Sequence, residues 1–291
     1  MDYFSNGKST NNSPISSMQC GNNLLTFNKP LVMGILNATP DSFSDGGMYN
    51  QTESALIHIE NMIAEGADII DIGAVSTRPG STAPDEREEI ARVMPILKTA
   101  VKKHPQTVFS IDTYRANVAQ IAADNGVGII NDISAGRMDN NLLKTVAQLK
   151  IPYILMHMQG NSPQTMQQNP VYTDVVKEVK KFFSEKTEIL KNIGIENIIL
   201  DPGFGFGKTI THNYQLLKNL YSLKTGNYPI LSALSRKSMI YKVLEVSPQE
   251  TLTGTATLTF ISIINGADIL RVHDVKETVQ MIKLAEKYMT A

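Results

Sequence analysis

Eight short apolar runs, spaced along most of the chain, constrain its fold more than any other feature. Each run carries residues able to do chemistry at or near its end, such as Asp71 in DIIDIGA, and the segments between runs have helical apolar spacing, as in Leu56, Ile59 and Ile63. Eight alternations of strand and helix predict a parallel barrel whose polar strand ends gather at one rim. The runs are LVMGILN, DIIDIGA, VFSID, GIIND, YILMH, NIILDPG, ILSALS and ILRVH.

Length and composition favour one domain. The chain has 291 residues, 42% of them hydrophobic, and eight units of about 30 residues each would use nearly all of it. We therefore predict a single barrel domain over residues 23–291. Residues 1–22 are rich in Asn and Ser and lack the apolar core of a signal peptide, so we expect them to form a flexible tail.

Charge and cysteine usage exclude several classes of partner. A net charge of -1 without a basic run argues against nucleic acid or an anionic membrane. No apolar stretch approaches the roughly 18 residues of a membrane span. The single Cys20 can form no internal disulfide, which fits a reducing compartment. We therefore expect a soluble, cytoplasmic protein that binds small molecules.

The segment DPGFGFGKT resembles a phosphate-binding loop only superficially. Three residues, rather than four, separate Gly203 from Gly207, and the dinucleotide-binding spacing of glycines is absent as well. The glycines could let the backbone pass under a flat ligand, with Asp201 at the strand end and Phe206 stacking on it. The alternative is a tight turn whose Phe residues belong to the core.

Asp112 and Asp201 each close an apolar run, where burial of a carboxylate is costly unless it is compensated. Together they could accept hydrogen bonds from the donor edge of a heterocycle or stabilise a cation. Solvent at the rim is the alternative form of compensation.

Cationic and polar residues at the last two runs suggest an anion site. Lys237 and Ser235 lie where the seventh run becomes a helix, a favourable place for a phosphate or carboxylate, although most such lysines are merely solvated. Arg271 and His273 alternate along the eighth run and should point into the same mouth. With Asn37 as a neutral oxygen ligand, they could hold a diphosphate with Mg²⁺.

The ordered motifs resemble those of the dihydropteroate synthase family. MGILNATPDSFSDGG, DIGAVSTRPGS, IDTYRANVA, NDIS, DPGFGFGK, SRKSMI and RVHDV match in order over about residues 30–285. The resemblance implies an α/β fold of the (β/α)8, or TIM, barrel type that is usually dimeric. It also implies a transferase that joins 6-hydroxymethyl-7,8-dihydropterin diphosphate to 4-aminobenzoate in folate biosynthesis, releasing diphosphate, with Mg²⁺ as cofactor and sulfonamides as competitors.

The resemblance also implies residue roles. Asp112, Lys237, Arg271 and His273 would be catalytic, and Asn37 would contact the metal. The pterin diphosphate site would comprise Thr77, Asp112, Asn131, Asp201, Phe206, Lys237, Arg271 and His273. The 4-aminobenzoate site would comprise Asp41, Phe43, Arg78, Pro79 and Ser235, partly on two long polar loops expected to close over the site.

One position departs from the family pattern, because Ala233 stands where Gly is frequent. An added methyl group removes no functional group. Two rival functions are a methyltransferase that uses methyltetrahydrofolate on a similar pterin-binding barrel, and a binding module without activity. The first has no need of the TPDSF, STRPG and SRK motifs, and the second would be expected to have lost Asn37, Lys237, Arg271 or His273.

Overall fold

The computed structural model describes residues 15–38, 47–74, 84–160 and 170–291. Within these ranges the chain forms an antiparallel hairpin, β1 (Ser17–Cys20) and β2 (Asn23–Thr26), followed by eight parallel strands. The parallel strands are β3 (Leu31–Asn37), β4 (Ile69–Gly73), β5 (Val108–Asp112), β6 (Ile129–Asp132), β7 (Tyr153–Met156), β8 (Ile198–Asp201), β9 (Leu231–Ser232) and β10 (Ile269–Val272).

Helices follow the barrel strands in the same ranges, and acidic side chains start two of the longest. Asp85 and Asp174 each accept hydrogen bonds from the free N–H groups of a first turn. A capping box between Ser247 and Glu250 starts a short 3₁₀ helix, Pro248–Glu250. The helices are α1 (Gly47–Glu65), α2 (Glu86–Lys103), α3 (Ala116–Asp124), α4 (Leu142–Leu149), α5 (Val175–Asn192), α6 (Ile210–Lys218), α7 (Ser238–Leu244), α8 (Leu252–Ile264) and α9 (Val275–Thr290).

The predicted barrel is confirmed. The strands lie in the order β8, β7, β6, β5, β4, β3, β10, β9, and a bridge between Leu200 and Ile230 brings the two ends of the sheet together. Each of the eight apolar runs contains one barrel strand. The barrel places the carboxyl ends of all eight strands at one rim, where such barrels carry their active sites.

Two apolar cores flank the barrel wall. One lies between strands and helices, and the other fills the barrel interior, where each of the eight strands contributes a residue. The interior set from the strands includes Met33, Ile69, Val108, Ile129, Ile154, Ile199, Leu231 and Ile269. Because side chains alternate along a strand, residues two and four positions further on also face inward. This alternation carries the polar strand ends into the mouth.

The tail predicted over residues 1–22 is wrong at its C-terminal end. Residues Ser17–Cys20 form a strand of the hairpin, and Met18, Cys20 and Leu25 pack into the interior core. The hairpin therefore covers the amino-terminal end of the barrel. Residues 1–14 lie outside the described part, so the tail prediction stays open there.

Candidate active site

A polar layer lies directly above the interior core. Gly73, Asp112 and Asn131 are neighbours across three adjacent strands, while Asp201 ends β8 and Arg271 lies one residue before the end of β10. All share the inward side of their strands, because each stands an even number of positions after a residue of the interior core. The predicted pterin residues of the barrel strands therefore converge on one mouth.

A network of ion pairs and hydrogen bonds joins four strands across this layer. The Nε of Arg271 donates to Asp71 Oδ2 at 2.7 Å, and its Nη2 donates to Asp112 Oδ2 at 2.8 Å. Asn131 Nδ2 donates to the same oxygen of Asp71 at 2.9 Å. Asp71 and Asn131 are buried, and the Arg271 side chain is 18% exposed. The guanidinium thus bridges two carboxylates at the floor of the mouth.

Burial and charge compete in this network. Burial raises the pKa of Asp112 to about 7, while the guanidinium of Arg271 works in the opposite direction. Burial works to lower the pKa of Arg271, but the carboxylates of Asp71 and Asp112 outweigh it and raise the pKa above its ordinary value. Arg271 therefore stays charged, and Asp112 depends on it to ionise at neutral pH.

The loop after β8 orients the Asp201 carboxylate through a backbone hydrogen bond. Asp201 Oδ1 accepts a hydrogen bond from the backbone N–H of Gly203 at 2.7 Å. Gly203 has a φ of +66°, and a Cβ there would lie 2.0 Å from the carbonyl oxygen of His157. Only glycine fits this close approach. Burial raises the pKa of Asp201, and the Lys237 ammonium opposes the shift.

Lys237, the residue before α7, contacts the same loop. Its Nζ donates to the Phe204 carbonyl at 2.6 Å and lies 4.9 Å from the centre of the Phe206 ring. Burial lowers the pKa of Lys237 to about 8, with Asp201 opposing the shift. With Met156 and Met158, the Phe206 ring forms an apolar wall beside this ammonium. A flat ligand with polar edges fits such surroundings.

Ser235 and His273 form a pair at the rim. Ser235 Oγ lies 3.0 Å from His273 Nδ1 and accepts the His273 backbone N–H at 3.3 Å. Burial and the nearby guanidinium groups of Arg236 and Arg271 lower the pKa of His273 to about 3, so the imidazole is neutral at pH 7. If the serine hydroxyl donates to Nδ1, the imidazole proton lies on Nε2. His273 then offers a hydrogen bond to an anion rather than a charge.

Asn37 ends β3 at the same rim, and its side chain is exposed. The part of the chain that the structure describes has no cluster of three acidic, His or Cys side chains able to hold a metal alone. Mg²⁺ commonly takes one or two protein oxygens and completes its coordination with phosphate and water. A single exposed amide oxygen at the rim fits that mode of binding.

Five predicted site residues lie outside the described ranges. They are Asp41, Phe43, Thr77, Arg78 and Pro79, from the two long loops. The predicted residues that the structure does describe all lie at the barrel mouth: Asn37, Asp112, Asn131, Asp201, Phe206, Ser235, Lys237, Arg271 and His273. Ala233 contributes its methyl group to the interior core.

Two residues of the mouth received no predicted role from the sequence. Asp71 belongs to the polar end of the run DIIDIGA, two positions before Gly73 at the end of β4. Lys208 is 4% exposed, and its Nζ donates to the carbonyls of His157, Gly203 and Phe206 at 3.2, 3.0 and 2.9 Å. A charged residue inside an apolar run is a detectable signal for Asp71; the partners of Lys208 come from two loops and have no counterpart in local sequence.

No helix in the described ranges is long and apolar enough to cross a membrane. The cytoplasmic location and the lack of nucleic-acid partners stay predictions.

The barrel and its mouth define a pterin-binding enzyme, and the family profile with the description "Pterin binding enzyme" matches residues 33–273. Dihydropteroate synthase of Escherichia coli strain K12 is 45% identical over 269 residues, which cover 92% of this chain and 94% of that protein. The chain belongs to the dihydropteroate synthase family.

Solved structures agree in fold over nearly the whole length. Dihydropteroate synthase of Xanthomonas albilineans with 4-aminobenzoic acid superposes with a TM-score of 0.88 at 38% identity, covering 95% of this chain and 99% of that one. The Yersinia pestis enzyme in complex with a sulfonamide drug gives 0.89 at 41% identity, covering 94% of this chain and 100% of that one.

Proposed function

We propose that this chain condenses 6-hydroxymethyl-7,8-dihydropterin diphosphate with 4-aminobenzoate to give 7,8-dihydropteroate and diphosphate. The observation that carries the proposal is the division of charge in the mouth. The acceptors Asp112, Asn131 and Asp201 share one mouth with the cations of Lys237 and Arg271. A ligand with a donor-rich edge and an anionic tail fits both parts.

The acceptors are assigned to the pterin. Its amidine-like edge presents hydrogen-bond donors, which carboxylate and amide oxygens can accept. The Phe206 ring supports the flat ring system, and Lys237 binds an acceptor of the pterin. The same carboxylates stabilise positive charge on the pterin when its methylene carbon loses the diphosphate.

Arg271 and His273 are assigned to the leaving group. The bond between the methylene carbon and the diphosphate oxygen breaks first, and the electron pair leaves with the diphosphate. Arg271 meets the growing negative charge, and neutral His273 donates a hydrogen bond to it. Asn37 and the substrate phosphates would hold Mg²⁺, which would add charge neutralisation at the leaving group.

The amine of 4-aminobenzoate then forms the new carbon–nitrogen bond, and its proton goes to the departed diphosphate. We assign Ser235 to this second site, together with Asp41, Phe43, Arg78 and Pro79, and we assign Thr77 to the diphosphate. Closure of the two long loops would exclude water, which competes with the amine for the cation. The reaction needs no covalent enzyme intermediate, so the mouth requires positioning groups rather than a nucleophile.

Diphosphate release tests the proposed reaction. We expect release from the dihydropterin diphosphate, with formation of dihydropteroate, only when Mg²⁺ and 4-aminobenzoate are both supplied, and loss of both products when EDTA removes the metal. Pterin binding without any diphosphate release would contradict the reaction and indicate a binding module. Product formation that persists in EDTA would contradict only the metal assignment.

Asp201→Asn is expected to weaken pterin binding by about 10- to 100-fold. The new amide group can present a donor toward an edge that also carries donors, and a charge-assisted hydrogen bond contributes about 1.5–3 kcal/mol. Calorimetric titration with 6-hydroxymethylpterin measures the change. The affinity of the variant for the pterin should fall, while the KM for 4-aminobenzoate should change little. Equal losses for both ligands would contradict the assignment.

We further propose a homodimer that pairs through α8 and α9. Helix α8 carries no charged residue, and exposed apolar side chains extend from it across α9. A groove of about 500 Å³ runs between them. Contiguous apolar surface of this kind is typical of oligomer interfaces. The exposed residues are Leu252, Ile261, Ile264, Leu284 and Tyr288.

Sedimentation velocity tests the dimer. Ile261→Glu is expected to shift the protein from dimer to monomer, because it buries an unpaired charge in the paired face. The matched control is Ile189→Glu, at an exposed apolar position on α5. A monomeric wild-type protein, or a dimer that tolerates the Ile261 change, would refute this face.

A further inference from the structure

We infer that Asp71 is a positioning residue that fixes the orientation of the Asn131 amide and the Arg271 guanidinium, so that the pterin edge meets acceptors only. The inference rests on the proposed function and extends it to a residue beneath the substrate. Asp71 lies two residues before the end of β4 and is completely buried. It therefore acts through its neighbours.

The chemistry of Asp71 determines which atom of Asn131 faces it. A carboxylate paired with a guanidinium only accepts hydrogen bonds. The amide nitrogen of Asn131 must therefore point to Asp71, at the observed 2.9 Å, and the amide oxygen is left for a ligand. Asn131 lies beside Asp112 in the sheet, so both residues present oxygen to the same edge of the pterin.

Asp71 holds Arg271 in the same way. Its Oδ2 accepts from Nε and lies 2.7 Å from Nη2, the nitrogen that also donates to Asp112. Two nitrogens of the planar guanidinium are thereby committed to carboxylates. Nη1 remains as the nitrogen for a phosphate oxygen, and the plane of the group is set before the substrate arrives.

The hydrogen bonding of Asp71 differs from that expected of a carboxylate that only stabilises the fold. Three donors crowd Oδ2 of Asp71, whereas its Oδ1 is buried with no hydrogen-bond partner among the described residues. A buried carboxylate that serves only stability is expected to have both oxygens satisfied. At Asp268, whose side chain is 14% exposed, both oxygens are bonded: one accepts from Lys224 and the other from the backbone N–H of Ile230. The one-sided bonding of Asp71 fits a role in orienting its neighbours.

The experiment compares Asp71→Asn, Asn131→Asp, the double variant D71N/N131D, and Asp268→Asn as a matched control at the amino-terminal end of the barrel. Steady-state rates give the KM for each substrate, and calorimetry with 6-hydroxymethylpterin gives affinity without turnover.

The two substitutions at the centre of the experiment exchange donor and acceptor. In D71N the oxygen of the introduced amide can accept from Arg271, while its nitrogen faces the side chain at position 131. The Asn131 amide must then turn, which presents a donor to the pterin. In the double variant, the carboxylate introduced at position 131 can accept from the amide at position 71 and still present oxygen to the pterin.

We expect D71N to weaken pterin binding at least 10-fold, with the KM for 4-aminobenzoate changed less than twofold. The double variant should recover most of that loss, and D268N should lower the melting temperature without altering pterin affinity.

The inference is overturned if D71N binds the pterin normally, if the double variant binds no better than D71N, or if D268N weakens pterin binding equally. If D71N does not fold, the double variant must bind better than N131D, and failure to do so overturns the inference. Wild-type protein that binds the pterin but forms no dihydropteroate would instead refute the proposed reaction, leaving the calorimetric comparison valid.

Discussion

Replacement of Arg271 by methionine is expected to destabilise the fold by about 3–5 kcal/mol and to lower the rate of dihydropteroate formation at least 100-fold. The variant leaves Asp71 and Asp112 buried without their shared cation, and removal of one partner from a buried ion pair typically costs about this much. The loss of rate follows because a preorganised charge at the leaving group contributes roughly 10²- to 10³-fold.

The loss of stability in the Arg271 variant should depend on pH, and the direction of that dependence can be predicted. Arg271 lowers the pKa of Asp112 against the effect of burial, so the variant should have a folded pKa still further above the unfolded value of about 3.9. Between these two values the folded state binds more protons than the unfolded state, and stability rises as the pH falls. The deficit of the variant should therefore be largest above pH 7 and shrink on acidification.

Urea unfolding at pH 5 and pH 8 measures this effect, and Lys224→Met is the matched control. Lys224 forms a comparable ion pair with Asp268 at the opposite end of the barrel, where the two side chains are 20% and 14% exposed. The control should lose stability yet keep its rate of product formation. An Arg271 variant as stable and as active as the wild type would show that the network makes no contribution.

The fold was largely predictable because the barrel repeats one local pattern eight times. Each buried parallel strand appears as an apolar run, and the polar residue at its end marks the rim. The alternation of side chains then placed Arg271 and His273 on the inward side from their spacing alone. The hairpin escaped prediction because its strands have only four residues each, with few apolar side chains in a polar segment.

The site was predictable only where function leaves a local signal. Asp112 and Asp201 stand at strand ends, so position alone suggested a role. The partners of Asp71 lie 60 and 200 residues away along the chain, and only the closed barrel brings them together. The low pKa of His273 also depends on distant charges, from Arg236 and Arg271. Spacing in the sequence predicted its location but not its neutral state.

Replacement of Lys208 by methionine is expected to destabilise the protein by about 2–4 kcal/mol and to weaken pterin binding about 10-fold or more. The ammonium of Lys208 has three hydrogens, and it donates to three carbonyls. Methionine fills similar space but leaves those carbonyls without this donor, at a cost of about 1–3 kcal/mol for each group left unsatisfied. Relief from burying a charge offsets part of that cost. Pterin binding suffers because the same loop carries the Gly203 N–H that holds Asp201 and the ring of Phe206.

A change in the pH dependence of stability distinguishes loss of the titrating Lys208 amine from simple loss of packing. Burial lowers the pKa of Lys208 to about 7, with Asp201 opposing the shift, whereas the unfolded value is about 10.4. Between these values the unfolded chain binds more protons, so this group makes the wild-type protein more stable as the pH rises. The gap in stability between wild type and K208M should therefore widen from pH 7 to pH 9.

Lys181→Met, at a lysine side chain 75% exposed on α5, should show neither effect, because exposed ion pairs contribute little. A gap that stays constant over this range would mean that Lys208 is not the titrating group, and unchanged pterin affinity would separate its loop from the substrate site.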